Sequence, residues 1–115
     1  MNAEAFISAS IARGDREGLS ALVGKERTVY LILQVSVICD LEGIDTILDL
    51  IEAKQMSGVS DAFAAVGAVE IAQCMRTIEE ALPERHEAAL DHPDRLIASR
   101  VGYSDDTIKG YVEEA

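Results

Sequence analysis

Basic residues are scarce in this chain. Ten Lys and Arg stand against 21 Asp and Glu, a formal net charge of −11 over 115 residues. A field of that sign repels a phosphate backbone, so direct binding of DNA or RNA is not expected. Docking on an anionic membrane surface is disfavoured for the same reason. Long apolar runs are also missing. The longest, Val29 to Leu41, is broken by Gln34, Ser36 and Asp40 and is shorter than the ~20 apolar residues of a membrane helix. Met1 to Ser10 has no basic start and no extended apolar stretch, so it does not read as a secretory signal. Cysteine is limited to Cys39 and Cys74, each within an apolar helical stretch. Both read as reduced core residues of a cytoplasmic protein. Aromatic residues make up 4% of the chain, so aliphatic side chains must fill the core.

The usual catalytic patterns are absent too. The histidines are His86 and His92, and no serine sits in a Gly-x-Ser-x-Gly elbow. His86-Glu87 and Asp91-His92 hold metal-binding residue types, without the His-Glu-x-x-His spacing that converges them on one ion. The glycines are scattered singly, which leaves neither a dinucleotide fingerprint nor a phosphate loop. Asp105-Asp106, Glu79-Glu80 and Glu113-Glu114 are paired carboxylates at expected surface positions and helix ends. A glycosidase needs its pair in a cleft with one acid held protonated. No catalytic residue, metal ligand or cofactor is assigned, and the chain is expected not to be an enzyme.

What is present is helical periodicity. Phe6, Ile7 and Ile11 predict a helix over Ala3–Arg13, with Gly14 as its stop. A short helix is expected over Arg16–Val23. Lys25 to Leu41 is apolar nearly all round. Its β-branched residues suit a strand, but strict alternation fails at Tyr30 to Leu33 and no turn divides it, so it reads as a buried central helix. Gly43 ends that helix. Ile44, Ile47, Leu48 and Ile51 then form one stripe of a helix stopping near Lys54. Ser60 is expected to cap a short helix, and Ile71, Met75, Ile78 and Leu82 mark another over Ala68–Leu82. Pro83 and Pro93 each interrupt, which predicts separate helices over Glu84–Leu90 and Asp94–Val101. Ser104 caps a final helix, Asp105–Glu113, where Tyr103 and Ile108 have the spacing of a hydrophobic staple. The fold class is therefore all-α: one compact multi-helix domain, residues 1–115, around a central buried helix.

One charge feature exceeds the background. No basic residue lies between Arg27 and Lys54, while Asp40, Glu42, Asp45, Asp49 and Glu52 all do. Like charges one helical turn apart repel by a few tenths of a kcal/mol. Asp40 and Glu42 also oppose the dipole of the helix they end. A row of carboxylates can imitate phosphates and dock the Lys and Arg of a DNA-binding protein. The same composition also serves solubility alone. Glu79, Glu80, Glu84 and Glu87 form a second candidate patch.

The order of elements resembles the DNA mimic protein nineteen-like family. Asp40-Leu41-Glu42-Gly43-Ile44 takes the place of that family's Asn-Asn-Gly-Gly-Phe turn, with Gly43 as the matching residue. Val66-Gly67-Ala68 matches its Ile-Gly-Ala step, and Leu82-Pro83-Glu84-Arg85 its charged proline step. The likeness covers roughly residues 25–112. It implies an α-helical fold and a non-enzymatic acidic protein, a dimer in the founding case, that occupies the DNA-binding surface of a regulator. The expected partner is thus a basic protein, either a DNA-binding regulator or a toxin neutralised by an immunity-like protein. A plain scaffold or homodimer is the third expectation, with Val29 to Leu33 as surplus apolar surface.

Overall fold

Helix α2, Gly24–Glu42, is the axis of the molecule. In the computed structural model, which describes residues 2–114, it is packed by α1 (Ala3–Glu17), α3 (Ile44–Glu52), α4 (Val59–Ala65) and α6 (Glu87–Ala98). Helices α5 (Val69–Ala81) and α7 (Asp105–Glu113) complete the set, with a single 3-10 turn at Leu19–Ala21. No strand is present among the described residues. The all-round apolar character of α2 has a direct cause: it has neighbours on several sides. Val29, Ile32 and Val35 are wholly buried, with Leu31, Ser36 and Cys39 beside them.

Ser36 explains one polar break in the apolar run. Its hydroxyl lies 2.9 Å from the Ile32 carbonyl and 2.8 Å from the Tyr103 hydroxyl. The Tyr103 hydroxyl donates to the Ile97 carbonyl at 3.0 Å. The buried polar atoms are thereby satisfied. The Tyr103 ring meets Phe63 edge to face, with centroids 5.3 Å apart. Helix α7 begins beside this cluster. Ser104 Oγ accepts from the Thr107 N–H at 3.1 Å, which is the expected cap.

Gly43 joins α2 to α3 in a single residue. Its φ of +86° is open to glycine at little cost, and its N–H returns to the Ile38 and Cys39 carbonyls. Helix α3 therefore leaves α2 at this residue, packs against it and turns its Ile44, Ile47 and Leu48 inward, as the stripe predicts.

Four expectations are corrected. Helix α1 does not stop at Gly14 but runs to Glu17. Gly14 is there for contact: a Cβ on it would fall 2.3 Å from the Tyr30 ring. The helix expected over Arg16–Val23 is reduced to the 3-10 turn. Pro93 does not divide α6, which continues through it. Proline leaves the Ala89 carbonyl without its intrahelical donor. Burial of Leu90, Pro93 and Ile97 along one stripe offsets that loss. Glu84, Arg85 and His86 lie outside the helix, in the α5–α6 connection. At α4 the N-cap is Gly58 rather than Ser60, whose hydroxyl turns to Glu79.

Candidate functional site

The acidic run divides between two helices. Asp40 lies near the end of α2, where Arg100 pairs with it at 3.5 Å. Glu42 is exposed at the last position of α2. Asp45, Asp49 and Glu52 share the outer face of α3 at i, i+4 and i+7. Their mutual repulsion has a compensation that local sequence does not reveal. Arg85 reaches across from the α5–α6 connection to all three. Its Nη2 lies 2.8 Å from Asp49 Oδ1 and 2.8 Å from Glu52 Oε2, and its Nη1 3.5 Å from Asp45 Oδ1. Partial enclosure lowers the guanidinium's affinity for its proton, but hydrogen bonds to Asp49 and Glu52 more than reverse this and hold its pKa above the ordinary value.

A second acidic row lies alongside. Glu87, Asp91 and Asp94 recur at i, i+4 and i+7 on α6, one spacing repeated from α3. With Asp45 they line a groove of about 460 Å³ between the start of α3 and α6, whose other lining is Gly43, Ile44 and Leu90. Asp45 thus belongs to both rows and makes them one surface. No ion pair to Glu87, Asp91 or Asp94 occurs among the described residues, so this groove is the least compensated part of it. Asp94 Oδ1 is buried there without a hydrogen-bond partner among the described residues. An orphaned carboxylate oxygen is an acceptor lacking a donor. The Cys39 thiol is pushed up to about 12, first by burial, then by the negative charge of Asp94 and a hydrogen bond to its carboxylate, and last by the charge of Asp40.

Glu79, Glu80, Glu84 and Glu87 differ in their surroundings. Glu80 and Glu84 are exposed, and Glu87 belongs to the groove. Glu79 turns inward between α4 and α5. Its Oε2 accepts from the Ser60 hydroxyl at 3.3 Å, and its Oε1 is buried with no partner among the described residues. Burial raises its carboxyl pKa and Asp61 adds to that, against the opposing pull of Ser60 and Arg76.

His86 stands at the start of α6 without a side-chain capping bond. His92 Nε2 is 3.7 Å from Glu70 Oε1, and it shares a shallow, mainly apolar groove with Cys74. The Cys74 thiol is raised by burial and by Glu70, which opposes formation of a thiolate. Among the described residues no three His, Cys, Asp or Glu side chains converge as a metal site. None of the described helices is long and apolar enough to cross a membrane.

Arg85, Asp91 and Asp94 are the participants that sequence reasoning missed. The α6 stripe had a readable signal in its spacing, hidden by treating Pro93 as a break. Arg85 had none, because its contacts span from residue 85 back to residues 45, 49 and 52. The chain matches no family model, no curated protein and no solved structure.

Proposed function

We propose that this chain is a non-enzymatic acidic interaction protein that binds a basic protein through the α3–α6 surface. The observation that carries this reading is the charge count around Asp45. Of six carboxylates there, Asp45, Asp49 and Glu52 share one guanidinium, that of Arg85, while Glu87, Asp91 and Asp94 have no ion pair among the described residues. A fold retaining such a surface forgoes local stability, and a cationic partner recovers it on binding. The resemblance to the DNA mimic protein nineteen-like family gives the reading its particular form: the partner is a DNA-binding regulator, in a cytoplasmic setting. An immunity-like inhibitor of a basic toxin uses the same surface.

Capture on the tagged chain from host lysate, at low and high salt, tests this. A retained basic protein that high salt releases supports the proposal, and its identity as regulator or toxin chooses the form. No retained basic protein at low salt contradicts it.

A second reading is a homodimer. Of the stretch Val29 to Leu33, Val29, Leu31 and Ile32 are buried and unavailable for it. Val37 and Leu41, one turn apart on α2 and 50% and 78% exposed, supply the apolar contact instead. Light scattering is then expected to give twice the chain mass, falling to the monomer mass on Leu41→Asp. A monomer mass for the unaltered chain removes this reading.

A further inference from the structure

Arg85 holds α3 as a ligand would. Its Nη2 is shared between Asp49 and Glu52, and its Nη1 donates to the Asp45 main-chain oxygen at 3.3 Å, with the Asp45 carboxylate 3.5 Å away. Both terminal nitrogens are engaged, which is the fork that a guanidinium offers and an ammonium lacks. The Arg85 side chain is 21% exposed, whereas those of Asp45 and Asp49 are 66% and 69% exposed. Asp45 and Asp49 thus face solvent on their free sides, while Glu52, at 33%, and the cation between them are more enclosed. The connection that carries Arg85 lies between Ala81 and Glu87 and has no helical ladder of its own. Its main-chain bonds are those of a turn, such as Glu84 N–H to the Ala81 carbonyl at 3.0 Å. A segment so lightly held opens at lower free energy than the helices it joins.

We propose that the three α3 carboxylates form a guanidinium site and that Arg85 is its built-in occupant. An arginine of the partner takes the site when the α5–α6 connection swings off α3. The proposal rests on the reading that the acidic surface binds a basic protein, and it deepens that reading in two ways. It names the partner's anchoring group as arginine, not lysine, and it makes the free protein self-closed. Isolated cations are rejected because each must displace a tethered, forked competitor present at high effective concentration. A site open for roughly a tenth to a third of the time binds its ligand about three- to tenfold more weakly than an open one.

The test uses a fluorescein-labelled oligoarginine peptide, with binding read by anisotropy at low salt. The unaltered chain is compared with Arg85→Ala and with Arg76→Ala. Arg76 pairs with Asp61 at 3.4 Å, away from α3, so its removal changes the net charge equally. Arg85→Ala is expected to bind about three- to tenfold tighter than the unaltered chain. Arg76→Ala should stay within about twofold, the part due to net charge alone. Adding Asp49→Asn and Glu52→Gln to Arg85→Ala should remove the gain. Arg85→Lys keeps the charge, loses the fork and should fall between, and it carries the test if Arg85→Ala does not fold. Equal affinities for Arg85→Ala and Arg76→Ala overturn the built-in occupant and leave the acidic surface standing. A peptide that binds no form overturns both.

Discussion

Gly14 and Gly110 both lie inside helices, and alanine at either would ordinarily gain about 1 kcal/mol. Their surroundings separate them. A Cβ at Gly14 meets the Tyr30 ring at 2.3 Å, while nothing lies within 4 Å of one at Gly110. Gly110→Ala is therefore expected to stabilise by about 1 kcal/mol. Gly14→Ala is expected to destabilise by about 1–2 kcal/mol, since the ring must move and its hydroxyl bond to Asp15 with it. Thermal melts should shift in opposite directions, and a rise for both would show that Tyr30 yields without cost. The Gly14 contact was not legible in the sequence. Local signals mark a helical glycine as a stop, and only the packing of α2 on α1 supplies the ring. Arg85 is the same case: its partners lie far back in the chain, and no local pattern announces them. Ser104 stands at the other extreme. The serine cap on α7 is a local bond and was readable directly.

Helices α2, α3, α5 and α7 were legible because each carries its own signal: length and apolar content, an inward stripe, or a cap. Helix α6 was not. A proline rule applied locally cuts it in two, whereas burial of Leu90, Pro93 and Ile97 holds it together. The unbroken helix also sets Glu87, Asp91 and Asp94 on one face, a spacing that a break at Pro93 hides. The α4–α5 pair carries a pH prediction. Glu79 is half-buried between these helices, and its pKa is raised above the ordinary value of 4.5, chiefly by burial. The folded state then keeps a proton that the unfolded state loses. Stability from this group is greatest below the ordinary value and falls as pH rises through the window up to the raised one. Glu79→Gln removes the charge and keeps an acceptor for Ser60. It is expected to raise the melting temperature near neutral pH, with the advantage shrinking once both states are protonated. An advantage independent of pH would assign the effect to packing instead.

Over the whole molecule the few cations are largely spent on internal ties. Arg13 joins α1 to α2 through Glu26, Arg100 pairs with Asp40, Lys109 ties α7 to Glu4 of α1, and Arg85 closes on α3. These exposed pairs contribute little individually to stability. Their consequence is where they leave negative charge uncompensated, which is the groove of Glu87, Asp91 and Asp94 beside Asp45. Net charge and the α3 row were legible in the sequence, but this concentration was not, because it depends on which carboxylates the scarce cations reach. In the proposed function this groove, and not acidity in general, binds the basic partner. The most direct measurement is calorimetric titration of the captured partner into two charge-reversed forms of equal net charge. One carries Glu87→Lys and Asp91→Lys; the other carries Asp105→Lys and Asp106→Lys, on the first turn of α7. The α6 form is expected to lose at least tenfold in affinity, about 1.4 kcal/mol, while the α7 form stays close to the unaltered chain. Equal losses in both forms, or none in either, would contradict it.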